Sequence, residues 1–257
     1  MPHPALSVEG LRETEVMNEL VPVQMSSLPR GGVAVVFGAS GGVGAALVEH
    51  LRASDHFVAV VALSRRSAPS FDLTDEASIA HAVASVAALG ELRLVIDATG
   101  FLHDDAQGPE KTWRDLDAAK LARAFALNAI GPALLMKHAL PALAPQGKAV
   151  FATLSARVGS IGDNHLGGWY GYRASKAALN QLVRTAAIEL KRRRPAGLCV
   201  ALHPGTVRTA LSSPFSKEEL EVQTPQTSAA RLLKVIDDLS ADQSGVFLDY
   251  LGVAIPW

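Results

Sequence analysis

Six short apolar runs, separated by longer segments with helical periodicity, are the feature that most limits what this chain can fold into. Runs that are almost continuously apolar are typical of strands buried on both faces of a sheet. Strands that alternate with helices predict a mostly parallel sheet covered by helices on both sides. We therefore predict an α/β fold with a single Rossmann-type, doubly wound parallel sheet of about seven strands; the six runs span 33–37, 57–63, 92–97, 149–154, 198–202 and 246–250.

Length and composition favour one domain. The chain has 257 residues, of which 49% are hydrophobic, and this is enough to bury one large core. We place the domain at residues 31–257. Residues 1–30 contain four prolines among acidic and polar residues, without the apolar core of a signal peptide. We predict a mobile N-terminal extension there; translation starting at Met17 or Met25 would also explain this stretch.

Charge and spacing argue against several classes of partner. The formal net charge is −1, so no overall basic field attracts nucleic acid. The eight histidines show no metal-ligand spacing, and no apolar run is long enough to span a bilayer. The only cysteine, Cys199, sits in an apolar run and is predicted to be a buried thiol. We expect a cytoplasmic protein with no nucleic acid, membrane or metal partner.

A glycine-rich turn follows the first predicted strand. It reads Gly38-Ala39-Ser40-Gly41-Gly42-Val43-Gly44 and leads into an Ala/Leu-rich helix. A turn without large side chains lets backbone N–H groups and the helix N-terminus approach a pyrophosphate closely. A simple tight turn would also use glycines, but the strand–turn–helix setting favours a dinucleotide site.

The end of the second predicted strand bears on the choice of dinucleotide. It reads Leu63-Ser64-Arg65-Arg66 and has no acidic residue. An acidic residue there holds the ribose of NAD, whereas an arginine accommodates the 2′-phosphate of NADP. The sequence favours NADP(H) over NAD(H), unless both arginines only solvate a loop. Asp72-Leu73, closing a short third strand, would flank the adenine, although Asp72 is equally consistent with a turn or helix cap.

Tyr172 and Lys176 are four residues apart, so they share one face of a helix. A phenol titrates near ~10, and a neighbouring ammonium favours its ionised form. The pair therefore predicts a general acid/base whose pKa is lowered towards neutrality. A surface pair on a helix would show the same spacing.

Taken together, these segments resemble the short-chain dehydrogenase/reductase family from Val33 to the C-terminus. Within that family the chain is similar to the subgroup of C-factors and carbonyl reductases. The motifs that carry the resemblance are Gly38-x-x-x-Gly42-x-Gly44, Asp97-Ala98-Thr99-Gly100 (usually Asn-Asn-Ala-Gly), Asn128 with Gly131, Tyr172-x-x-x-Lys176, and Pro204-Gly205-Thr206-Val207-Arg208-Thr209.

The resemblance implies roles for these residues. Tyr172 would protonate the carbonyl oxygen as the hydride arrives, and Lys176 would lower the pKa of Tyr172 and bind the nicotinamide ribose. The residues that it implies for cofactor binding, together with those at the second strand, are Gly38, Ser40, Gly41, Gly42, Val43, Gly44, Ser64, Arg65, Arg66, Asp72, Leu73, Ala98, Thr99, Gly100, Tyr172, Lys176, Pro204, Gly205, Val207 and Thr209.

Asn128 lies in a helical pattern that continues into Pro132. A proline has no N–H, so it cannot donate to the carbonyl of Asn128 four residues earlier. In the family, a water held there links Asn128 to Lys176 in a proton relay. A kinked helix without chemistry is the alternative.

One position departs from the family. The serine that usually hydrogen-bonds the substrate oxygen aligns with Ala156, one residue after Ser155. Neighbouring residues on a strand point to opposite faces, so Ser155 could serve only if the strand end is turned. We favour Ser155 as the fourth catalytic residue, with Ser160 as a second candidate; otherwise this hydroxyl is missing.

The predicted function is that of an NADPH-dependent oxidoreductase that reduces an aldehyde, ketone or quinone to an alcohol. Trp169, expected near Tyr172, favours an apolar or aromatic substrate. A nucleotide-binding sensor or C-factor-like signalling protein with slow turnover is the alternative. The resemblance also implies a homodimer or homotetramer.

Overall fold

The computed structural model describes residues 23–104, 108–211 and 222–257, and a six-stranded parallel sheet forms its centre. The strands are β1 Val33–Phe37, β2 Ala59–Leu63, β3 Leu92–Asp97, β4 Ala149–Leu154, β5 Gly197–His203 and β8 Phe247–Asp249. Their order across the sheet is β2-β1-β3-β4-β5-β8. The Rossmann-type prediction is confirmed, and the apolar runs located these strands to within two residues at each end.

Helices cover both faces of this sheet. Two of them pack on the face lined by Ala34 and Val36, and three pack on the face lined by Val33 and Val35. The first two are α1 Gly42–Ala53 and α6 Pro225–Asp238; the others are α2 Glu76–Ala87, α4 Gly131–Ala142 and α5 Tyr170–Arg193. A shorter helix, α3 Ala118–Phe125, precedes α4 and packs against α5. Among the described residues, no helix is both long and apolar enough to cross a membrane.

Among the described residues the sheet has six strands, one fewer than the predicted count of about seven, because no strand closes at Asp72-Leu73. Only residues 64–75 separate β2 from α2, too few for a crossover helix and a returning strand. Asp72 instead forms a turn in which its carboxylate accepts from the backbone N–H and the hydroxyl of Thr74. Asp75 then caps α2 by accepting from Ala77 N–H. A separate two-stranded sheet pairs β6 Thr206–Val207 with β7 Val222–Gln223.

The folded domain begins earlier than residue 31. Met25 and Leu28 are 1% and 2% exposed and belong to the core between the sheet, α1 and α6. Ser27 adds hydrogen bonds from its N–H and hydroxyl to Asp237 at the end of α6. Residues 23–30 are therefore part of the domain, and residues 1–22 of the predicted extension lie outside the described residues.

The expected burial of the Cys199 thiol is confirmed. Cys199 is fully buried in β5, and burial raises the pKa of its thiol to about 12. Trp257 stacks on Phe247 of β8, and Ile255 is buried in the same core.

Candidate active site

The predicted functional residues gather at the carboxyl edge of the sheet. From β1 the chain crosses to β2 on one side, and it returns to β3 on the other side of β1. Such a reversal opens a crevice beyond the strand ends, where α/β sheets bind ligands. The glycine turn after β1 lies at this crevice, because a Cβ on Gly38 would come within 2.9 Å of the Ala98 carbonyl that follows β3.

Two positions of the glycine turn, Gly38 and Gly44, have no room for a side chain. A Cβ on Gly44 would overlap the Gly38 carbonyl oxygen, and Gly38 has a φ of +81° that favours glycine. Ser40, Gly41 and Gly42 remain exposed on the outer side of the turn. Gly41 caps α1 without a side-chain hydrogen bond, so the N-terminal N–H groups of α1 are open to a bound anion.

Two arginines stand at the end of β2, beside this turn. Arg65 and Arg66 are exposed, and Ser64 shapes their turn by donating its N–H to the Ser67 hydroxyl, at 2.9 Å. The hydrogen bonds from Thr74 lower the pKa of the Asp72 carboxyl, and the nearby Arg65 adds to this effect.

Leu73 precedes α2 and lies close to the start of α4. Its side chain is buried against the start of α4, where its carbonyl would lie 2.7 Å from a Cβ on Gly131. Leu73 therefore packs the core at this point, and this contact explains why residue 131 is a glycine.

Tyr172, Lys176 and Asn128 converge near the end of β3. Lys176 Nζ lies 6.0 Å from the centre of the Tyr172 ring and donates to the Leu154 carbonyl at 2.8 Å. A Cβ on Gly100 would be 3.8 Å from Lys176 Nζ and 4.0 Å from Asn128 Oδ1. Residues that are distant in the sequence thus surround one small space beside Gly100.

Asn128 joins the loop after β3 to α5. Its amide group accepts from Phe101 N–H and donates to the Phe101 carbonyl, both at 2.8 Å, and also donates to the Ser175 hydroxyl at 3.1 Å. It lies in a π-helical turn at Ala126–Ile130, which ends two residues before Pro132. The predicted interruption of the helix is confirmed. Sequence reasoning missed Ser175, whose contact with Asn128 spans 47 residues.

Burial dominates the electrostatics of the Tyr172–Lys176 pair. It raises the pKa of Tyr172 to about 12 and lowers the pKa of Lys176 to about 8, the latter partly offset by Asp97. The predicted lowering of the Tyr172 pKa is wrong for this state of the protein. The ammonium is bound to the Leu154 carbonyl, and it is too far from the phenol to outweigh desolvation.

Asp97 organises the turn between β3 and Gly100. It is fully buried and accepts from Thr99 N–H at 3.0 Å and from the Thr153 hydroxyl at 2.8 Å. Burial raises the pKa of its carboxyl, whereas these hydrogen bonds oppose the rise. The contact with Thr153 ties β3 to β4 next to the site.

Neither candidate serine hydroxyl is directed towards an open site. Ser155 is buried, and its Oγ donates to Asn180 Oδ1 of α5 at 2.6 Å. Ser160 is also buried and accepts from Asp163 N–H at 3.0 Å. Ala156 is partly exposed. This geometry disfavours Ser155 as the substrate donor and leaves a methyl group where the family has a hydroxyl.

The segment after β5 folds back over the glycine turn. A Cβ on Gly42 would lie 2.9 Å from the Thr209 methyl group, and Gly205 allows the bend with a φ of +80°. Val207 is buried in β6, and the Pro204 carbonyl accepts from Ser228 of α6 at 2.8 Å. Residues 212–221 lie outside the described residues.

Trp169 lies next to Tyr172, as predicted, with ring centres 6.2 Å apart in an edge-on arrangement. The described residues contain no group of three or more His, Cys, Asp or Glu side chains that could hold a metal ion.

Comparisons with known proteins show the family to which this chain belongs. A family model described as Enoyl-(Acyl carrier protein) reductase matches residues 38–240. The chain is 40% identical over 145 residues to the C-signal of Myxococcus xanthus, covering 56% of this chain and 82% of that protein. It is 34% identical over 191 residues to the 1-hydroxy-2-glutathionyl-2-methyl-3-butene dehydrogenase of Rhodococcus sp. (strain AD45), covering 74% of this chain and 79% of that protein.

The fold matches a solved structure as well. An NADPH-bound carbonyl reductase from chicken fatty liver superposes with a TM-score of 0.78 at 30% identity, covering 88% of this chain and all of that one. This chain therefore belongs to the short-chain dehydrogenase/reductase family of oxidoreductases. The predicted resemblance to C-factors and carbonyl reductases is confirmed.

Proposed function

We propose that this protein uses NADPH to reduce the carbonyl group of an aldehyde, ketone or quinone to an alcohol. The observation that carries the proposal is the convergence of Tyr172, Lys176 and Asn128 beside Gly100, at the crevice that the glycine turn borders. The assay is oxidation of NADPH by the purified protein over a panel of aldehydes, ketones and quinones. Turnover that disappears in Tyr172→Phe supports the proposal, and an inactive wild type across the panel counts against it.

The residues present fit a nicotinamide dinucleotide. The glycine turn offers exposed backbone and the open N-terminus of α1 to a pyrophosphate. Gly100 and Lys176 border the space for the nicotinamide ribose, and Thr209 reaches back to the glycine turn. Other residues that we propose to line the cofactor are Ser40, Val43, Ser64, Asp72, Ala98, Thr99, Pro204, Gly205 and Val207.

Bound NADPH would supply the hydride that reduces the carbonyl carbon. Tyr172 would give its phenolic proton to the carbonyl oxygen, and its raised pKa keeps this proton in place at neutral pH. Lys176 would offset the charge left on the phenolate. Asn128 would hold the Phe101 backbone and α5 in register around the reacting groups. Oxidation of an alcohol would reverse the proton transfer.

The arginines after β2 favour NADPH over NADH. We expect the paired change Arg65→Ala with Arg66→Ala to raise KM for NADPH by at least about 10- to 10²-fold, because the loss of even one charge-assisted hydrogen bond to the 2′-phosphate costs ~1.5–3 kcal/mol. KM for NADH should not change, because NADH lacks the 2′-phosphate. Steady-state kinetics with both cofactors test this. An equal effect on the two cofactors would contradict it.

The alanine at position 156 leads to a second prediction, which concerns kcat. Ala156→Ser restores a hydroxyl at the position where the family has one, and we expect kcat for carbonyl reduction to rise by up to ~10²-fold, since one donor to a developing oxyanion contributes on this order. The measurement is kcat for the best substrate of the panel. If Ser155 is the donor instead, Ser155→Ala will abolish activity and Ala156→Ser will add little.

A signalling function is the second candidate. It is favoured by the 40% identity to the C-signal of Myxococcus xanthus and by Ala156, which removes a family hydroxyl. The intact Tyr172, Lys176 and Asn128 favour the enzyme. Tyr172→Phe distinguishes the two, because a signalling output that depends only on nucleotide binding should survive this change.

We also propose a homodimer or homotetramer. Leu182 and Ile188 of α5 are 37% and 48% exposed, and contact with a second copy would bury these apolar side chains.

A further inference from the structure

Glu110 is a buried carboxylate bound to the start of the helix that carries Tyr172. It is 4% exposed, and its Oε2 accepts from Gly171 N–H at 3.1 Å. The two residues are 61 positions apart in the sequence. A buried carboxylate is unfavourable unless donors or positive charge surround it, and a helix N-terminus provides both.

The backbone of Glu110 binds the same turn. Its carbonyl accepts from Trp169 N–H at 2.5 Å. Trp169 is the N-cap residue of α5, has a left-handed φ of 52°, and makes no side-chain cap. Such a conformation is unfavourable for a large residue and persists where the surroundings impose it. Glu110 thus supplies from another segment the cap that α5 lacks locally.

Helix packing fixes the carboxylate in place. A Cβ on Gly171 would lie 2.9 Å from Glu110 Oε1, 3.3 Å from Leu121 Cδ2 and 3.5 Å from Ala124 Cβ. The carboxylate therefore fills the junction between α3 and α5, and only a glycine at position 171 leaves room for it.

Arg173 holds the opposite side of this turn. Its Nε donates to the Gly168 carbonyl at 2.9 Å, and its guanidinium also donates to the carbonyls of Gly167 and Val158. The residues before Tyr172 are thus bound from two directions. Glu110 accepts from their N–H groups, and the Arg173 guanidinium donates to their carbonyls.

We propose that Glu110 is a positioning residue that fixes the first turn of α5, and with it the Tyr172 phenol, against the substrate oxygen. This inference rests on the proposed reductase function. Glu110 acts through Trp169 and Gly171. These are the third residue and the first residue before Tyr172 in the sequence.

The test compares four variants with the wild type. Glu110→Ala removes the carboxylate, Glu110→Gln keeps an acceptor oxygen, and Gly171→Ala displaces the carboxylate without deleting it. Asp75→Ala is the matched control, because it removes the capping carboxylate of α2, a helix that carries no proposed catalytic residue. The readouts are kcat, KM for NADPH, melting temperature, and amide hydrogen exchange at residues 171–176.

We expect kcat to fall by about 10- to 10²-fold in Glu110→Ala and Gly171→Ala, because a shift of about 1 Å in a reacting group can cost this much. KM for NADPH should stay unchanged, exchange at 171–176 should become faster, and Glu110→Gln should recover most of kcat. Asp75→Ala should keep the wild-type kcat. If Glu110→Ala does not fold, Gly171→Ala gives the same comparison.

Two results would overturn the inference. One is a wild-type kcat in both Glu110→Ala and Gly171→Ala, or in Gly171→Ala alone where Glu110→Ala does not fold. The other is unchanged amide hydrogen exchange at residues 171–176 in a folded Glu110→Ala variant. This measurement needs no substrate, so it remains decisive even if the reductase function fails.

Discussion

Tyr172→Phe should reduce kcat for carbonyl reduction by between about 10²- and 10⁴-fold, the usual contribution of a positioned general acid. The change removes only the hydroxyl, so the ring keeps its edge-on contact with Trp169. Burial raises the pKa of the phenol to about 12, so wild-type Tyr172 carries its proton at neutral pH, and the change removes the group that would donate it. Single-turnover and steady-state rates with NADPH and the best carbonyl substrate measure the effect.

The matched control for this change is Tyr170→Phe, which removes the same group two residues earlier on α5. It should leave kcat and NADPH affinity unchanged, and Tyr172→Phe should also leave NADPH affinity unchanged. Equal losses of kcat in both variants would indicate damage to α5 rather than loss of a proton donor.

Gly44→Ala should disable the cofactor site altogether. The added Cβ would overlap the Gly38 carbonyl oxygen and approach the Ala39 Cα at 3.1 Å, and both are backbone atoms that cannot rotate away. We expect the free energy of unfolding to fall by ~1–3 kcal/mol through overpacking. We also expect NADPH binding to be lost, because the turn must open to relieve the clash. Chemical denaturation and fluorescence titration with NADPH measure the two effects.

Gly41→Ala provides the comparison for folding. Its Cβ would lie 3.4 Å from the Gly38 carbonyl oxygen, an ordinary contact, and its φ of −80° suits any residue. Its free energy of unfolding should equal that of the wild type. If Gly44→Ala binds NADPH as the wild type does, the glycine turn is not the pyrophosphate site.

The sequence predicts the fold well where local patterns are strong. The bounds of β1, β3 and β4 match the apolar runs, because strands buried on both faces are mostly apolar along their whole length. The short strand that we predicted to close at Asp72-Leu73 is a turn, because a polar turn with an adjacent leucine resembles the end of a strand in sequence. The connection between β2 and α2 is too short to contain that strand.

The site is predictable in its residue types and less so in its energetics. A four-residue spacing places Tyr172 and Lys176 on one helix face, but only the structure shows that Lys176 binds the Leu154 carbonyl. Desolvation therefore reverses the expected direction of the Tyr172 pKa shift. Alternation along β4 correctly casts doubt on Ser155, whose hydroxyl turns to Asn180.

Long-range contacts account for the remaining gaps. Glu110 reaches Gly171 across 61 residues, and Asn128 reaches Ser175 across 47. Each pair is joined only when α3 and the π-helical turn pack on α5. No periodicity or motif in the sequence relates these residues to one another.

The most direct measurement follows a deuterium label from cofactor to product. The purified protein is incubated with NADPH deuterated at both C4 positions of the nicotinamide and with the carbonyl panel, and the products are analysed by mass spectrometry. From the aldehydes and ketones we predict an alcohol that carries one carbon-bound deuterium with the wild-type protein and with Tyr170→Phe, and almost none with Tyr172→Phe. A quinone gives a hydroquinone, which keeps no deuterium on the former carbonyl carbon, so hydroquinone formation itself is measured for the quinones. Tight binding of NADPH without a deuterated alcohol from any aldehyde or ketone, and without a hydroquinone from any quinone, would contradict carbonyl reduction as the function of this site.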